Sequence, residues 1–222
     1  MPFFHAGPAP RAAGPRRGAL RDGLDFAPGM TVGLFGGSFN PAHAGHAHVA
    51  ETALRRLGLD RVVWLVSPQN PLKSAGDTAP LAERMASARR AADLAATGPA
   101  MIVSDVETRM GTRWTIDTLR ALAGRHPGVR FVWLMGSDNL ADFHRWRGWT
   151  DIMRLMPVAV VARPGSLLDS RTAPAAARFA DARISSARAK LLPELEAPAW
   201  TYLTAPLNHM SSTALRRAAR NA

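Results

Sequence analysis

The chain has 222 residues, with 28 Lys+Arg against 17 Asp+Glu, a net charge of +11, and no cysteine. Disulfides, thiolate metal sites and cysteine nucleophiles are excluded, and no apolar run reaches the ~18 residues of a membrane-spanning helix. A hydrophobic content of 47% excludes a disordered chain, and the length suits one α/β domain with a sizeable core.

The charge alone suggests a polyanionic partner such as nucleic acid. Lys73 and Lys190 are the only lysines, however, and the arginines are scattered through an alanine-rich sequence. Solvated background charge explains that distribution equally well. Residues 1–29 carry five prolines among glycines and arginines, without periodicity or a continuous apolar stretch. They read as a flexible basic N-terminal extension without a secretion signal, and a single domain is expected over 30–222. A cytoplasmic protein is the expectation.

Thr31 to Phe35 is an apolar run entering Gly36-Gly37, a buried strand followed by a tight turn. Ala50, Ala53, Leu54 and Leu57 then fall on one helical face, with Gly58 as C-cap. Arg61 to Val66 is a second strand, Pro80 to Ala96 a helix, and Met101 to Val103 a short strand. Ile116 to Leu122 lies in a helix stopped near Gly124, and Arg130 to Met135 is a strand before Gly136. A short helix ends at Leu155, Pro157 to Ala162 is a strand, and 166–199 shows only a weak helical pattern. Trp200 to Leu203 is the last strand and Ser211 to Arg220 the last helix. Strands apolar throughout and separated by helices indicate an α/β fold: a Rossmann-like, doubly wound parallel sheet with ligands at the carboxyl ends of its strands.

The segment richest in chemistry runs from Gly33 to His46, GLFGGSFNPAHAGH. Gly36 and Gly37 allow close approach of a nucleotide to the backbone, and Ser38 and Phe39 complete the turn. His43 and His46 are three apart at the start of a helix, where two imidazoles and free N–H groups can meet a phosphate. Two capping or core histidines would explain either residue singly, but less readily this ordered combination. His48 points elsewhere and reads as structural.

Ser211-Ser212-Thr213 before a helical run is a second anion-binding helix start, with Arg216 one turn later. A plain capped terminal helix fits the same residues. Lys73 sits in the proline-ordered loop after the second strand, and Gly136-Ser137-Asp138 follows the strand RFVWLM. Asp138 there could accept from ribose hydroxyls or simply cap a helix.

The first segment resembles the GxFxPxHxGH motif of the nucleotidyltransferase superfamily, and 209–216 (HMSSTALR) is similar to its ISSTxIR element. The resemblance implies that His43, His46, Lys73 and Arg216 act on the phosphates of ATP. It further implies that Gly36, Gly37, Ser38, Phe39, Gly136, Asp138, Ser211, Ser212 and Thr213 line the ATP site. Thr112 to Leu119 (TRWTIDTL) is similar to the SYTxDTL stretch of bacterial nicotinate-nucleotide adenylyltransferases, with Trp114 and Arg113 replacing tyrosine and serine. Phe143 to Trp149 resembles the segment in which a tryptophan stacks on the pyridine ring. The resemblance therefore implies Trp114, Thr115 and Trp146 as pyridine-nucleotide contacts, Trp146 being preferred to Trp149.

What the resemblance implies is adenylyl transfer from ATP to nicotinate mononucleotide, giving deamido-NAD⁺ and pyrophosphate in NAD biosynthesis. Mg²⁺ is expected with ATP, held through water and substrate oxygens without a named protein ligand, and neither nucleic acid nor membrane is an expected partner. Two alternatives stay open. One is a nicotinamide mononucleotide or phosphopantetheine adenylyltransferase, the latter usually having threonine at the position of His43. The other is a basic nucleic-acid-binding protein on the same fold.

Overall fold

Seven short segments, most of them apolar without alternation, become strands of one sheet in the computed structural model, which describes residues 22–68, 78–95, 97–163 and 172–204. They are β1 (Thr31–Gly37), β2 (Arg61–Val66), β3 (Met101–Ser104), β4 (Arg130–Gly136), β5 (Val158–Val161), β6 (Arg183–Ile184) and β7 (Trp200–Leu203). All pairings are parallel, in the order β3-β2-β1-β4-β5-β7-β6. The chain runs outward from β1 to β3, then returns to place β4 on the other side of β1. The carboxyl ends of β1 and β4 therefore flank the topological switch point, where sheets of this kind bind ligands.

The absence of alternation has a direct cause, since helices cover both faces. Phe131, Trp133 and Met135 of β4 join one core cluster, while Val132 and Leu134 join the other. The second cluster is closed by α1 (Ala44–Leu57) and α2 (Leu81–Asp93), whose alanines Ala47, Ala50, Ala53, Ala88 and Ala91 are buried. The first is closed by α3 (Val106–Met110), α4 (Thr115–Arg125), α5 (Ser137–Asp142), α6 (Trp149–Leu155) and α7 (Pro174–Arg178). Gly58 caps α1 at φ 67, donating its N–H to the Leu54 carbonyl, as its position predicts.

Two differences from the sequence reading have physical causes. The stretch 22–29, assigned to the extension, is packed onto the domain: Leu24 and Phe26 are buried, and Phe26 meets His126 and Phe131 edge-on. The buried Asp22 carboxylate lies 3.0 Å from His126 Nε2 and accepts the Leu24 N–H. Ordered structure thus begins before Met30, and residues 1–21 lie outside the described residues. Secondly, part of 166–199 is α7, β6 and a 3₁₀ run, Ser186–Glu194, whose Leu192 plugs the core. The α4 helix ends at Arg125, beside Gly124 as expected.

Candidate active site

The turn between β1 and α1 is shaped mainly by internal packing. A Cβ at Gly36 would overlap the Trp133 ring, and one at Gly37 would press on the Phe39 ring. Glycine is required at 36 by the Trp133 ring, whereas at 37 the Phe39 ring would have to yield only slightly. Phe39 takes φ 46, unusual for a side chain of its size, and its buried ring lies against Phe35, Trp64 and His46. Asn40 Oδ1 accepts the Ala79 N–H, and Ser87 Oγ accepts the Ala42 N–H.

His43 is the N-cap of α1. Its Nδ1 accepts the Gly45 N–H at 3.0 Å, and its own N–H donates to His46 Nδ1 at 3.3 Å. This reciprocal cap brings the two ring centroids to 4.0 Å, a closer reason for their meeting than a shared helical face. With both Nδ1 atoms accepting, the neutral rings carry their protons on Nε2. His43 is only 4% exposed, and its Nε2 has no hydrogen-bond partner among the described residues. Burial first, then the Arg163 charge, lowers its pKa to about 4 against a smaller opposing effect of Asp138. The result is a neutral N–H donor fixed at a helix start.

Across the switch point, Gly136 ends β4, and a Cβ there would overlap the Asp138 carboxylate and the Arg163 side chain. Arg163 donates to Asp138 Oδ2 at 2.8 Å, and its backbone N–H donates to Ser137 Oγ at 2.8 Å. One Asp138 oxygen, expected to face a ribose, is therefore engaged by Arg163. Sequence reasoning missed Arg163, whose only signal was the Arg-Pro-Gly stop after a strand.

Trp114 caps α4 and Thr115 is its first residue. The Arg113 and Arg147 guanidinium carbons each lie 5.2 Å from the Trp114 ring centroid, so the 112–119 and 143–149 segments meet at this ring. The half-buried Trp146 stands edge-on to Trp133 at 6.3 Å and to Phe143 at 5.5 Å. Trp149 instead packs between Phe143 and Phe179. Trp133 thus neighbours both the Gly36 turn and Trp146. Beneath the α3–α4 turn, burial raises the Glu107 pKa to about 7, opposed by the Thr118 hydroxyl, which donates to Oε1 at 3.2 Å. Thr118 also shares a 2.8 Å hydrogen bond with Thr112.

His43, His46, Gly36, Gly37, Ser38, Phe39, Gly136 and Asp138 thus gather around the β1 and β4 ends, with Trp114 and Thr115 at the start of α4 and Trp146 in the loop before α6. Lys73, Ser211, Ser212, Thr213 and Arg216, with the expected helix 211–220, lie outside the described residues. Among the described residues, no group of three or more His, Asp or Glu could hold a metal ion, and no helix is long and apolar enough to cross a membrane.

The site thus pairs two histidines at the switch point of a parallel sheet, and residues 34–218 match the cytidylyltransferase-like family. A curated protein of Caulobacter sp. (strain K31), named "Probable nicotinate-nucleotide adenylyltransferase", is 67% identical over 84% of this chain and 97% of its own. One of the same name from Cereibacter sphaeroides (strain ATCC 17025) is 54% identical over 86% of this chain and 99% of its own. Among solved structures, Plasmodium falciparum nicotinic acid mononucleotide adenylyltransferase complexed with NaAD shares the fold. Its TM-score is 0.65 at 15% identity, covering 85% of this chain and 83% of that one. The chain belongs to the cytidylyltransferase-like family and, within it, to the nicotinate-nucleotide adenylyltransferases.

Proposed function

We propose that this enzyme transfers the adenylyl group of ATP to nicotinate mononucleotide, giving deamido-NAD⁺ and pyrophosphate in NAD biosynthesis. The observation that carries the reading is the buried, uncharged His43, with an unpartnered Nε2 beside His46 at the switch point. An acceptor 5′-phosphate oxygen attacks the ATP α-phosphorus in line, and the bond to the bridging oxygen of pyrophosphate breaks. A phosphate monoester is already an anionic nucleophile near pH 7, so the chain needs no strong general base. Its contribution is positioning and stabilisation of charge that develops on the transferred group.

His43 and His46 donate from Nε2 to the α-phosphoryl and bridging oxygens. Because His43 is neutral at pH 7, it gives this donor without a proton equilibrium in the working range. Gly36 to Phe39 shape the turn under the triphosphate, Lys73 and Arg216 neutralise its charge, and the 211–213 hydroxyls donate hydrogen bonds to it. Gly136 and Asp138 contact the adenosine side, with Arg163 orienting the carboxylate. Trp146 stacks on the pyridine ring, and Trp114 with Thr115 flanks its carboxylate. ATP enters as its Mg²⁺ complex, the ion counted as part of the substrate, and no step is assigned to a protein-bound metal. The reaction takes place in the cytoplasm.

The test is pyrophosphate release from MgATP with nicotinate mononucleotide, nicotinamide mononucleotide or phosphopantetheine as separate acceptors. Turnover highest with nicotinate mononucleotide is expected. Preference for either other acceptor, or no release with any of them, contradicts the reading.

A further inference from the structure

The buried stripe of α2 contains a charge. Arg84 occupies the helical face shared with Ala88 and Ala91, is 2% exposed, and is absent from every ion pair among the described residues. A guanidinium in such a place is costly unless its donors are satisfied. Here four of its five N–H donors are satisfied, all by backbone carbonyls. Nε donates to Ala79 at 2.9 Å, Nη1 to Ser38 at 2.9 Å and to Ser67 at 2.6 Å, and Nη2 to Pro68 at 2.7 Å. Those carbonyls belong to three separate stretches: the β1–α1 turn, the exit of β2 and the approach to α2.

One turn along the same helix, Ser87 Oγ takes the Ala42 N–H at 3.1 Å and lies 3.4 Å from the Phe39 carbonyl. The first turns of α2 therefore grip residues 38, 39 and 42, between the end of β1 and the capping His43. Within that stretch lies Phe39 at φ 46, a conformation that persists only where its surroundings over-determine it. The fork shape of arginine matters, because a lysine ammonium offers three donors from one point and cannot span four carbonyls in three stretches.

We propose that Arg84 is a positioning residue for the adenylyl-transfer site, holding the β1–α1 turn in register with the β2 exit so that His43 and His46 meet the nucleotide phosphates. The proposal rests on the functional reading above. Arg84 lies under the nucleotide side of the switch point, while the acceptor-side tryptophans sit on other elements. Its loss should therefore weaken ATP use and transition-state stabilisation without a matching change in acceptor affinity. A role confined to general stability would lower the melting temperature and leave the kinetic constants of the folded fraction unchanged.

The test compares Arg84→Met and Arg84→Lys with the parent enzyme in pyrophosphate release, with folding checked by circular dichroism and gel filtration. Misplacement of the turn by about 1 Å is expected to cost Arg84→Met ~10²-fold in kcat/KM for ATP, with the acceptor KM within ~3-fold of the parent. Arg84→Lys should recover part of that loss. A folded Arg84→Met enzyme within ~3-fold of the parent, or one with both substrates' KM raised alike, overturns the proposal. If Arg84→Met does not fold, Arg84→Lys decides: it keeps the charge but loses the fork, and should raise the KM for ATP ~3- to 10-fold with the acceptor KM unchanged. An unchanged KM for ATP in that variant overturns the proposal. A parent enzyme that releases no pyrophosphate contradicts the functional reading, whereas an active parent without this kinetic split contradicts the role of Arg84 alone.

Discussion

The turn at 36–46 and the α3–α4 region at 107–118 both bury a titratable side chain whose charged form burial disfavours, with pKa shifts of opposite sign. Burial, helped by Arg163, lowers the His43 pKa to about 4, whereas burial raises that of Glu107 to about 7 against the hydroxyl of Thr118. His43 spends its Nδ1 on a backbone N–H and leaves Nε2 for another partner. Glu107 is instead spent inside the fold, on Thr118 and, through it, Thr112. Burial thus keeps a neutral donor ready in one region, and in the other holds a carboxyl that titrates near pH 7 within internal hydrogen bonds.

The largest expected effect breaks the first half of that contrast. His43→Ala or His46→Ala should lower kcat at least ~10²-fold in a folded enzyme, as loss of one charge-stabilising donor does. Steady-state pyrophosphate release measures this, and near-normal turnover by either folded variant removes that histidine from the mechanism.

A second effect separates the two groups by the sign of their pH dependence. Glu107 binds its proton more tightly in the fold than at its ordinary value of 4.5, so its stability contribution is full below that pH and is lost as pH rises through about 7. His43 does the reverse: its contribution is present above pH 6.5 and is lost as pH falls toward about 4. Between those limits the two slopes oppose each other. Glu107→Gln should unmask a rise in stability with pH in urea titrations from pH 4.5 to 7, and at pH 8 should be more stable than the parent by ~1–3 kcal/mol. A variant that keeps the parent's pH profile would contradict the raised Glu107. The smallest effect is Trp146→Ala, expected to raise the acceptor KM ~10-fold while the KM for ATP stays constant, as loss of one stacking contact on the acceptor alone would.

The sheet was legible because strands covered on both faces leave unbroken apolar runs, of which RVVWLV and RFVWLM are clear cases. The two-residue β6 is too short to show a period, and the nine-residue 3₁₀ run at Ser186–Glu194 turns every three residues and not at the 3.6 spacing that marks a helix. The Asp22–His126 contact joins residues 104 apart in sequence, so composition hid the packing of 22–29 behind the adjoining prolines. The histidine pair was legible from its motif, but its reciprocal capping through Nδ1 required coordinates. Arg84 had a sequence signal, a charge inside the 84/88/91 stripe of a helix, yet its carbonyl partners come from loops that no periodicity connects.

The central claim is that His43 is an uncharged Nε2–H donor before substrate arrives. Nitrogen NMR of ¹⁵N-histidine enzyme, titrated from pH 8 to 4, tests it most directly. The expected result is an Nε2–H tautomer down to about pH 5, with protonation centred at about 4. A His43 ring already half protonated at its ordinary pKa of 6.5, or carrying its neutral proton on Nδ1, would contradict the account.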